Sequence, residues 1–294
     1  MNRLLIVGCG DIGVRVAARL QQRCRLYALT HSASRLPALR AVGAAPILAD
    51  LDQPRTLIRL AGLAQMVLHL APPPLVDHHD SRTANLLAAL GRRSLPQHFI
   101  YMSTSGVYGD CGGACVTETS LTRPSTARAQ RRVDAERQVR AWGARCGVRV
   151  SILRVPGIYA ETRLPLARLE KGTPALNIDD DVYVNHIHAD DLATIVIAAM
   201  YRGQPNRTYH ASDDLPQKMA DYFDAVADRF QLPRPPRLAR VQLQAAVSPQ
   251  LYSFMSESRR LSNQRMKQEL RVQLAYPTVA HGLAAASRGQ AHAF

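Results

Sequence analysis

The chain has 294 residues, 47% of them apolar, and a formal net charge of +14, which is enough length and apolar content for one large α/β domain with a smaller lobe. No stretch reaches the length of a membrane span, and the first residues run straight into an apolar strand pattern without a signal-peptide pattern, so a cytoplasmic protein with no membrane partner is expected. The excess charge is arginine: lysine occurs only as Lys171, Lys218 and Lys267, and the arginines are spread along the chain without a basic tail. That distribution argues against a nucleic-acid partner and points to small phosphorylated ligands drawn to a basic cleft. The five cysteines, Cys9, Cys24, Cys111, Cys115 and Cys146, are an odd number and do not suggest a disulfide framework. Cys111 and Cys115 bracket Gly112-Gly113-Ala114, read as a flexible glycine loop rather than a redox pair or half a metal site, and no metal is expected.

In chain order, the apolar run Leu4-Leu5-Ile6-Val7 predicts a buried parallel strand and leads into Gly8-Cys9-Gly10-Asp11-Ile12-Gly13, after which helical spacing begins. This is a dinucleotide-binding entry. Gly8 serves the tight turn, Gly10 the approach of backbone N–H groups to a pyrophosphate, and Gly13 the close packing of helix on strand. Asp11 and Ile12, between the glycines, are expected to contact the cofactor with them, and the N-terminus of the helix that follows favours an anion. Further strands are predicted over 25–29, 45–49, 66–70, 98–102 and 149–153. Helices are predicted over 14–22, 55–61, 82–90, 127–144 and 192–200. Strict alternation implies a doubly wound parallel Rossmann sheet covered on both faces. The long helix carries Ala135, Val139 and Trp142 toward the core, with Arg131, Asp134, Arg137, Gln138 and Arg145 on an expected solvated face. Prolines 233, 235 and 236 mark a break before helix-like segments resume.

The end of the second strand selects the cofactor. An NAD site offers a carboxylate there to the ribose 2′-hydroxyl, about 20 residues beyond the glycines. Here the stretch is Thr30-His31-Ser32-Ala33-Ser34-Arg35, which offers hydroxyls, an imidazole and a guanidinium. Such groups suit a 2′-phosphate, so NADP is favoured, with NAD the alternative. Near the end, Asn185-His186-Ile187-His188-Ala189-Asp190-Asp191 clusters histidines and carboxylates. It is read as structural hydrogen bonding, with Asp190 capping the helix that follows.

Beyond the glycine entry, several motifs recur in order: Ala49-Asp50-Leu51, Leu70-Ala71-Pro72, Ser103-Thr104-Ser105-Gly106-Val107-Tyr108-Gly109, and Leu153-Arg154-Val155-Pro156-Gly157-Ile158-Tyr159. Ile187-His188-Ala189-Asp190-Asp191-Leu192, Arg260-Leu261-Ser262-Asn263 and Tyr276-Pro277-Thr278 complete the series. Together they resemble the extended and atypical short-chain dehydrogenase/reductases, the NAD(P)-dependent epimerase/dehydratase family, over nearly the whole chain. The resemblance implies that Asp50 and Leu51 border the adenine, that Leu70, Ala71 and Pro72 line the strand-end crevice, and that Pro156 and Gly157 approach the nicotinamide. It implies Thr104 as the catalytic hydroxyl. The family's Tyr-x-x-x-Lys pair is missing: aligning Glu136 with the acidic residue that follows that lysine puts Arg128 at the tyrosine position and Arg132 at the lysine position. Arg132 can still bond a ribose, but Arg128 cannot exchange protons, because arginine stays protonated. Tyr108 and Tyr159 are the substitute proton carriers the sequence offers, each needing a neighbouring cation, for which Arg128, Arg132 and Arg154 are the candidates.

The implied activity is that of an NADP-preferring oxidoreductase or epimerase/dehydratase-like enzyme acting on a sugar nucleotide or similar polar carbonyl or alcohol. The alternative is a non-catalytic NADP(H)-binding sensor. The implied organisation is a nucleotide domain over 1–155, rejoined by 181–210, and a C-terminal substrate lobe from 156–180 and 211–294. A monomer or homodimer is expected.

Overall fold

Seven parallel strands form the main sheet in the computed structural model, which describes residues 1–286. They are β1 (Asn2–Val7), β2 (Cys24–Thr30), β3 (Ala44–Leu48), β4 (Met66–His69), β5 (His98–Thr104), β6 (Arg149–Val155) and β7 (Arg207–His210). Their spatial order is β7-β6-β5-β4-β1-β2-β3. The order reverses between β1 and β4, and such a switch point opens a crevice at the carboxyl ends of the strands. Leu4, Leu5, Ile6 and Val7 of β1 are all fully buried, as a central strand covered on both faces requires.

The covering helices follow from where the apolar side chains fall. On one face α1 (Asp11–Leu20) buries Ile12, Val16, Ala17 and Leu20 against Leu4 and Ile6, and α4 (Ala189–Arg202) buries Leu192, Ile195, Val196 and Ala199 in the same cluster. On the other face α2 (Ser81–Leu90) and α3 (Ala127–Cys146) pack Leu86, Ala135, Val139 and Trp142 against Leu5, Val7 and Phe99. Thr126 starts α3 by accepting from Ala129 N–H, and Gly147 ends it at φ +66°. The segment expected as a helix over 55–61 is instead a 3₁₀ run, Pro54–Leu60. Leu57 and Leu60, three apart, are both fully buried there, and three residues per turn put them on one side.

The lobe centres on α5 (Met219–Phe230), whose Phe223, Val226 and Phe230 pack on Leu166, Leu169, Val279 and Leu283. The chain leaves α5 through a left-handed Gln231, crosses the prolines, and is helical again over Arg240–Ala246. One expected lobe segment lies elsewhere. Met266, Leu270 and Val272 are buried in the main sheet's core beside α4, because the short helix Gln264–Leu270 follows that apolar face. Residues 287–294, also expected in the lobe, lie outside the described residues. The short strands Gly157–Tyr159 and His186–His188 pair in parallel outside the main sheet.

Asp190 does not cap α4. The cap is His188, whose ring accepts from Asp190 N–H, while the Asp190 carboxylate pairs with Arg15 at 2.9 Å and Arg19 at 2.7 Å on α1. The solvated face expected for α3 is also interrupted, since Arg131 is only 7% exposed. Among the described residues no helix is long and apolar enough to cross a membrane. All five cysteines are free.

Candidate active site and nucleotide cleft

The glycine turn after β1 is shaped by two close approaches. Gly8 sits at φ +83°, and a Cβ there would lie 2.5 Å from the backbone nitrogen of Ala71, so the turn and the end of β4 exclude a side chain. A Cβ on Gly13 would press on Cys9 Sγ at 3.0 Å and Ile6 at 3.2 Å, which fixes α1 close to β1. Gly10 faces open space, with nothing within 4 Å of a Cβ built there. Among the described residues no side chain caps the first N–H groups of α1. Open room in front of unmade N–H groups at the positive end of a helix fits a diphosphate. Asp11 stands in that first turn, with its carboxylate bound to Arg15 at 2.8 Å and to Arg163 of the lobe at 3.3 Å.

The strand ends on either side build the rest of the cleft. After β2, Thr30 Oγ1 accepts from Ser32 N–H, Ser32 and Ser34 share a 2.7 Å hydroxyl contact, and His31 is exposed. Arg35 reaches back to donate from Nη2 to the Cys9 carbonyl at 2.9 Å, which brings its guanidinium to the glycine turn. After β3, Asp50 accepts from Asp52 N–H in a local turn, and Leu51 is buried with its carbonyl held by Asn85. Leu70 N–H donates to Val7 O at 2.8 Å, Ala71 is buried and Pro72 exposed. Arg82 links two of these loops, pairing with Asp52 at 2.7 Å while donating to the Pro72 carbonyl.

Past the end of β5 lies a cleft of about 660 Å³, lined by Thr104, Ser105, Gly106, Arg128, Arg131, Pro156, Gly157, Asn185, His186, Phe254, Glu257 and Arg259 among others. Thr104 thus lies on the wall shared with the Pro156-Gly157 turn, and its Oγ1 accepts from Gly106 N–H at 3.2 Å. Arg128 lies across the ring of Phe254, with its guanidinium carbon 5.8 Å from the centroid. Desolvation, together with the neighbouring charges of Arg132 and Arg131, lowers its pKa, and it remains a cation at any ordinary pH.

Arg132, expected to hold a ribose, is 7% exposed and bonded into the strand ends. Its Nη1 donates to Met102 O at 2.9 Å, to Tyr101 OH at 3.0 Å and to Ala71 O at 3.4 Å. It is therefore a positioning residue, tying β5 and the turn after β4 to α3.

The tyrosines expected to replace the missing proton carrier are both tied down. Tyr108 is 1% exposed, receives a hydrogen bond from Arg154 Nη1 at 2.7 Å, and faces His210 Nε2 at 2.5 Å and Thr117 O at 3.0 Å. Arg154 in turn forms a two-pronged pair with Glu136, which also accepts from Ser103 Oγ at 2.6 Å. His210 Nδ1 lies 2.8 Å from the Ser262 carbonyl, so the ring donates there and Nε2 accepts from Tyr108. Burial outweighs Arg154 and pushes the Tyr108 phenol up to about 12. It belongs to a buried network between the sheet edge and the lobe, not to the cleft wall. Tyr159, 2% exposed, donates to Thr278 O at 3.2 Å, and burial raises its pKa as well.

Several lining residues carry no sequence signal that marks them. His186, expected to be structural, is among the cleft's lining residues, lies against Gly157 and stacks on Tyr222 at 4.2 Å between centroids. Burial lowers its pKa to about 4, so it is neutral near pH 7. Arg259 and Phe254 come from the far C-terminal part of the chain, where no motif distinguishes them.

A family model, NAD dependent epimerase/dehydratase family, matches residues 4–212. A GDP-6-deoxy-D-mannose reductase of Pseudomonas aeruginosa is 25% identical over 182 residues, and the match spans 57% of each chain, so this chain covers little more than half of that curated relative. A conserved protein of unknown function from Silicibacter pomeroyi is 30% identical, with a TM-score of 0.81 over 97% of this chain and 98% of that one. The UDP-glucose 4-epimerase of Thermotoga maritima has the same fold, with a TM-score of 0.79 at 17% identity over 96% of both chains. So does the dTDP-glucose 4,6-dehydratase DesIV of Streptomyces venezuelae, whose structure holds NAD, at 0.79 and 20% identity over 99% of both. With a model match across the whole sheet and its crevice, the chain belongs to the NAD dependent epimerase/dehydratase family.

Proposed function

We propose that this protein is an NAD(P)-dependent oxidoreductase or epimerase/dehydratase-type enzyme that prefers NADP and acts on a sugar nucleotide or a similarly polar carbonyl or alcohol. The observation that carries the reading is the glycine turn, which places open space in front of a helix N-terminus at the switch point of the sheet, and the Thr104 hydroxyl on the wall of the cleft beyond β5 belongs to the same reading. The NADP preference is supported by Arg35 at the glycine turn and by the lack of any carboxylate in the 30–35 loop. Several of the solved structures with this fold hold NAD, so preference is the finer part of the reading.

When bound, the nicotinamide supplies or accepts hydride. In this reading Gly10, Asp11, Ile12 and Gly13 present backbone donors to the diphosphate, Thr30, His31, Ser32 and Arg35 take the 2′-phosphate, and Asp50 and Leu51 border the adenine. Leu70, Ala71 and Pro72 line the strand-end crevice beside the cofactor, and Pro156 and Gly157 approach the nicotinamide. Thr104 donates its hydroxyl to the substrate oxygen. Tyr108 and Arg132 serve the architecture. The proton is exchanged by a group that lines the cleft.

Calorimetric titration with NADPH, NADP⁺, NADH and NAD⁺ tests the first half, with tighter binding of the phosphorylated pair expected. A panel of carbonyls and sugar nucleotides, followed through nicotinamide absorbance, tests the second, and Thr104→Val is expected to slow turnover by about 10²-fold or more. No heat with any of the four nucleotides refutes the reading. Binding without hydride transfer across the panel favours the sensor alternative, for which the Arg128 and Arg132 replacements speak.

A further inference from the structure

The first turns of α3 concentrate three guanidinium groups, Arg128, Arg131 and Arg132, and among the described residues none of them has a carboxylate partner. Arg128 and Arg131 are three apart on one helical face, and both line the cleft. Arg128 donates no hydrogen bond among the described residues. Arg131 is 7% exposed, donates from Nη1 to the Asp77 carbonyl at 2.6 Å, and keeps a buried Nε–H with no partner. Arg259 joins them from the C-terminal part of the chain, also with a buried, unpartnered Nε. The carboxylate lining the cleft is Glu257, which is committed to Arg259 at 2.8 Å and to Ser125. The wall beside Thr104 therefore carries two more positive charges than it neutralises.

Among the described residues Arg131 is a buried cation without a counter-ion, which is costly, and the buried, unpartnered Nε–H groups of Arg131 and Arg259 add to that cost. Planar forks of guanidinium donors match the two oxygens of a carboxylate or the face of a phosphoryl group. We propose that Arg128, Arg131 and Arg259 form an oxyanion-binding subsite next to Thr104, so that the substrate carries a carboxylate or phosphoryl group close to its reacting carbon. The inference rests on the oxidoreductase reading for what happens at that carbon. It narrows the substrate to anionic hydroxy or oxo compounds anchored at the reacting end, apart from the Arg35 end of the crevice.

The test uses the full chain titrated by calorimetry with oxalate, inorganic phosphate and neutral oxamide, with and without saturating NADP⁺. Saturable binding of oxalate or phosphate in the presence of the nucleotide is expected, with no oxamide binding. The two anion arms separate a carboxylate site from a phosphoryl site. Loss of one charge-assisted contact weakens binding about tenfold in Arg128→Gln and in Arg131→Gln, while nucleotide affinity stays within about twofold. Arg128, exposed and without hydrogen bonds, decides the matter should Arg131→Gln fold poorly. Nucleotide binding with no saturable anion binding overturns the subsite, as does equal binding of oxamide or unchanged anion affinity in Arg128→Gln. Anion binding without nucleotide binding leaves the subsite standing and removes the oxidoreductase reading.

Discussion

Replacing Arg35 by alanine separates two roles that its geometry combines. Its Nη2 holds the Cys9 carbonyl at 2.9 Å, a contact on the glycine turn that any dinucleotide uses, while no other protein group among the described residues occupies its remaining donors. Loss of the Cys9 contact costs about 0.5–1.5 kcal/mol and falls equally on NADPH and NADH. Loss of one or two charge-assisted bonds to a 2′-phosphate costs a further ~2–3 kcal/mol and falls on NADPH alone. At about 1.4 kcal/mol per tenfold, the NADPH/NADH affinity ratio is expected to drop by roughly 30- to 150-fold in Arg35→Ala. Fluorescence titration of both reduced nucleotides at one fixed ionic strength measures it, since salt weakens an exposed phosphate contact. A variant that weakens both nucleotides alike would show that Arg35 only braces the turn, and the NADP assignment would fall.

Other perturbations reach the rest of the molecule. Glu136→Gln strands Arg154, itself 5% exposed, without its ionic partner, and is expected to lower the unfolding free energy by about 3–5 kcal/mol in urea titration. Gly8→Ala forces a Cβ onto Ala71 N at 2.5 Å in a left-handed residue, so calorimetry is expected to find nucleotide binding abolished, with a lower melting temperature. Burial holds His98, His186 and His210 near 4 and His69 near 3. They are neutral when folded and take up protons once unfolded below about 6.5, so stability is expected to fall as pH drops from 6.5 toward 4, by about 1.4 kcal/mol per unit for each. Asp213, raised to about 8 by burial, acts in the opposite sense, and its share is lost as pH rises through that value. Denaturation midpoints across the range from acid to mildly alkaline pH should therefore peak near neutrality, and a flat profile contradicts the burial of these groups.

The sheet and glycine turn were legible because they depend on local pattern. An unbroken apolar run such as Leu4–Val7 has few other fates, and glycines at 8, 10 and 13 mark close approaches that the structure contains. The hydroxyl at Thr104 was readable for the same reason, as the last residue of a strand. What failed to show was tertiary. Tyr108 looked available because, although Arg154 was a candidate neighbour, nothing in the sequence around it announces that His210, 102 residues later, also closes over its hydroxyl. Asp190 looked like a cap until Arg15 and Arg19, far earlier in the chain, claimed it. Arg131 and Arg259 became a pair of cleft residues only once α3 and the C-terminal segment met, and single-residue spacing carries no trace of that meeting.

The outer strand β7 has one more consequence. Residues 207–210 complete an edge whose inner neighbour, β6, ended about fifty residues earlier, and Met266 and Leu270 seal the same side later still. During synthesis the growing chain must hold an unsatisfied backbone ladder exposed until those late segments emerge, an adhesive margin open to association with other nascent chains. An N-terminal fragment that stops short of Met266 and Leu270 therefore lacks part of the finished nucleotide half, however complete its glycine turn.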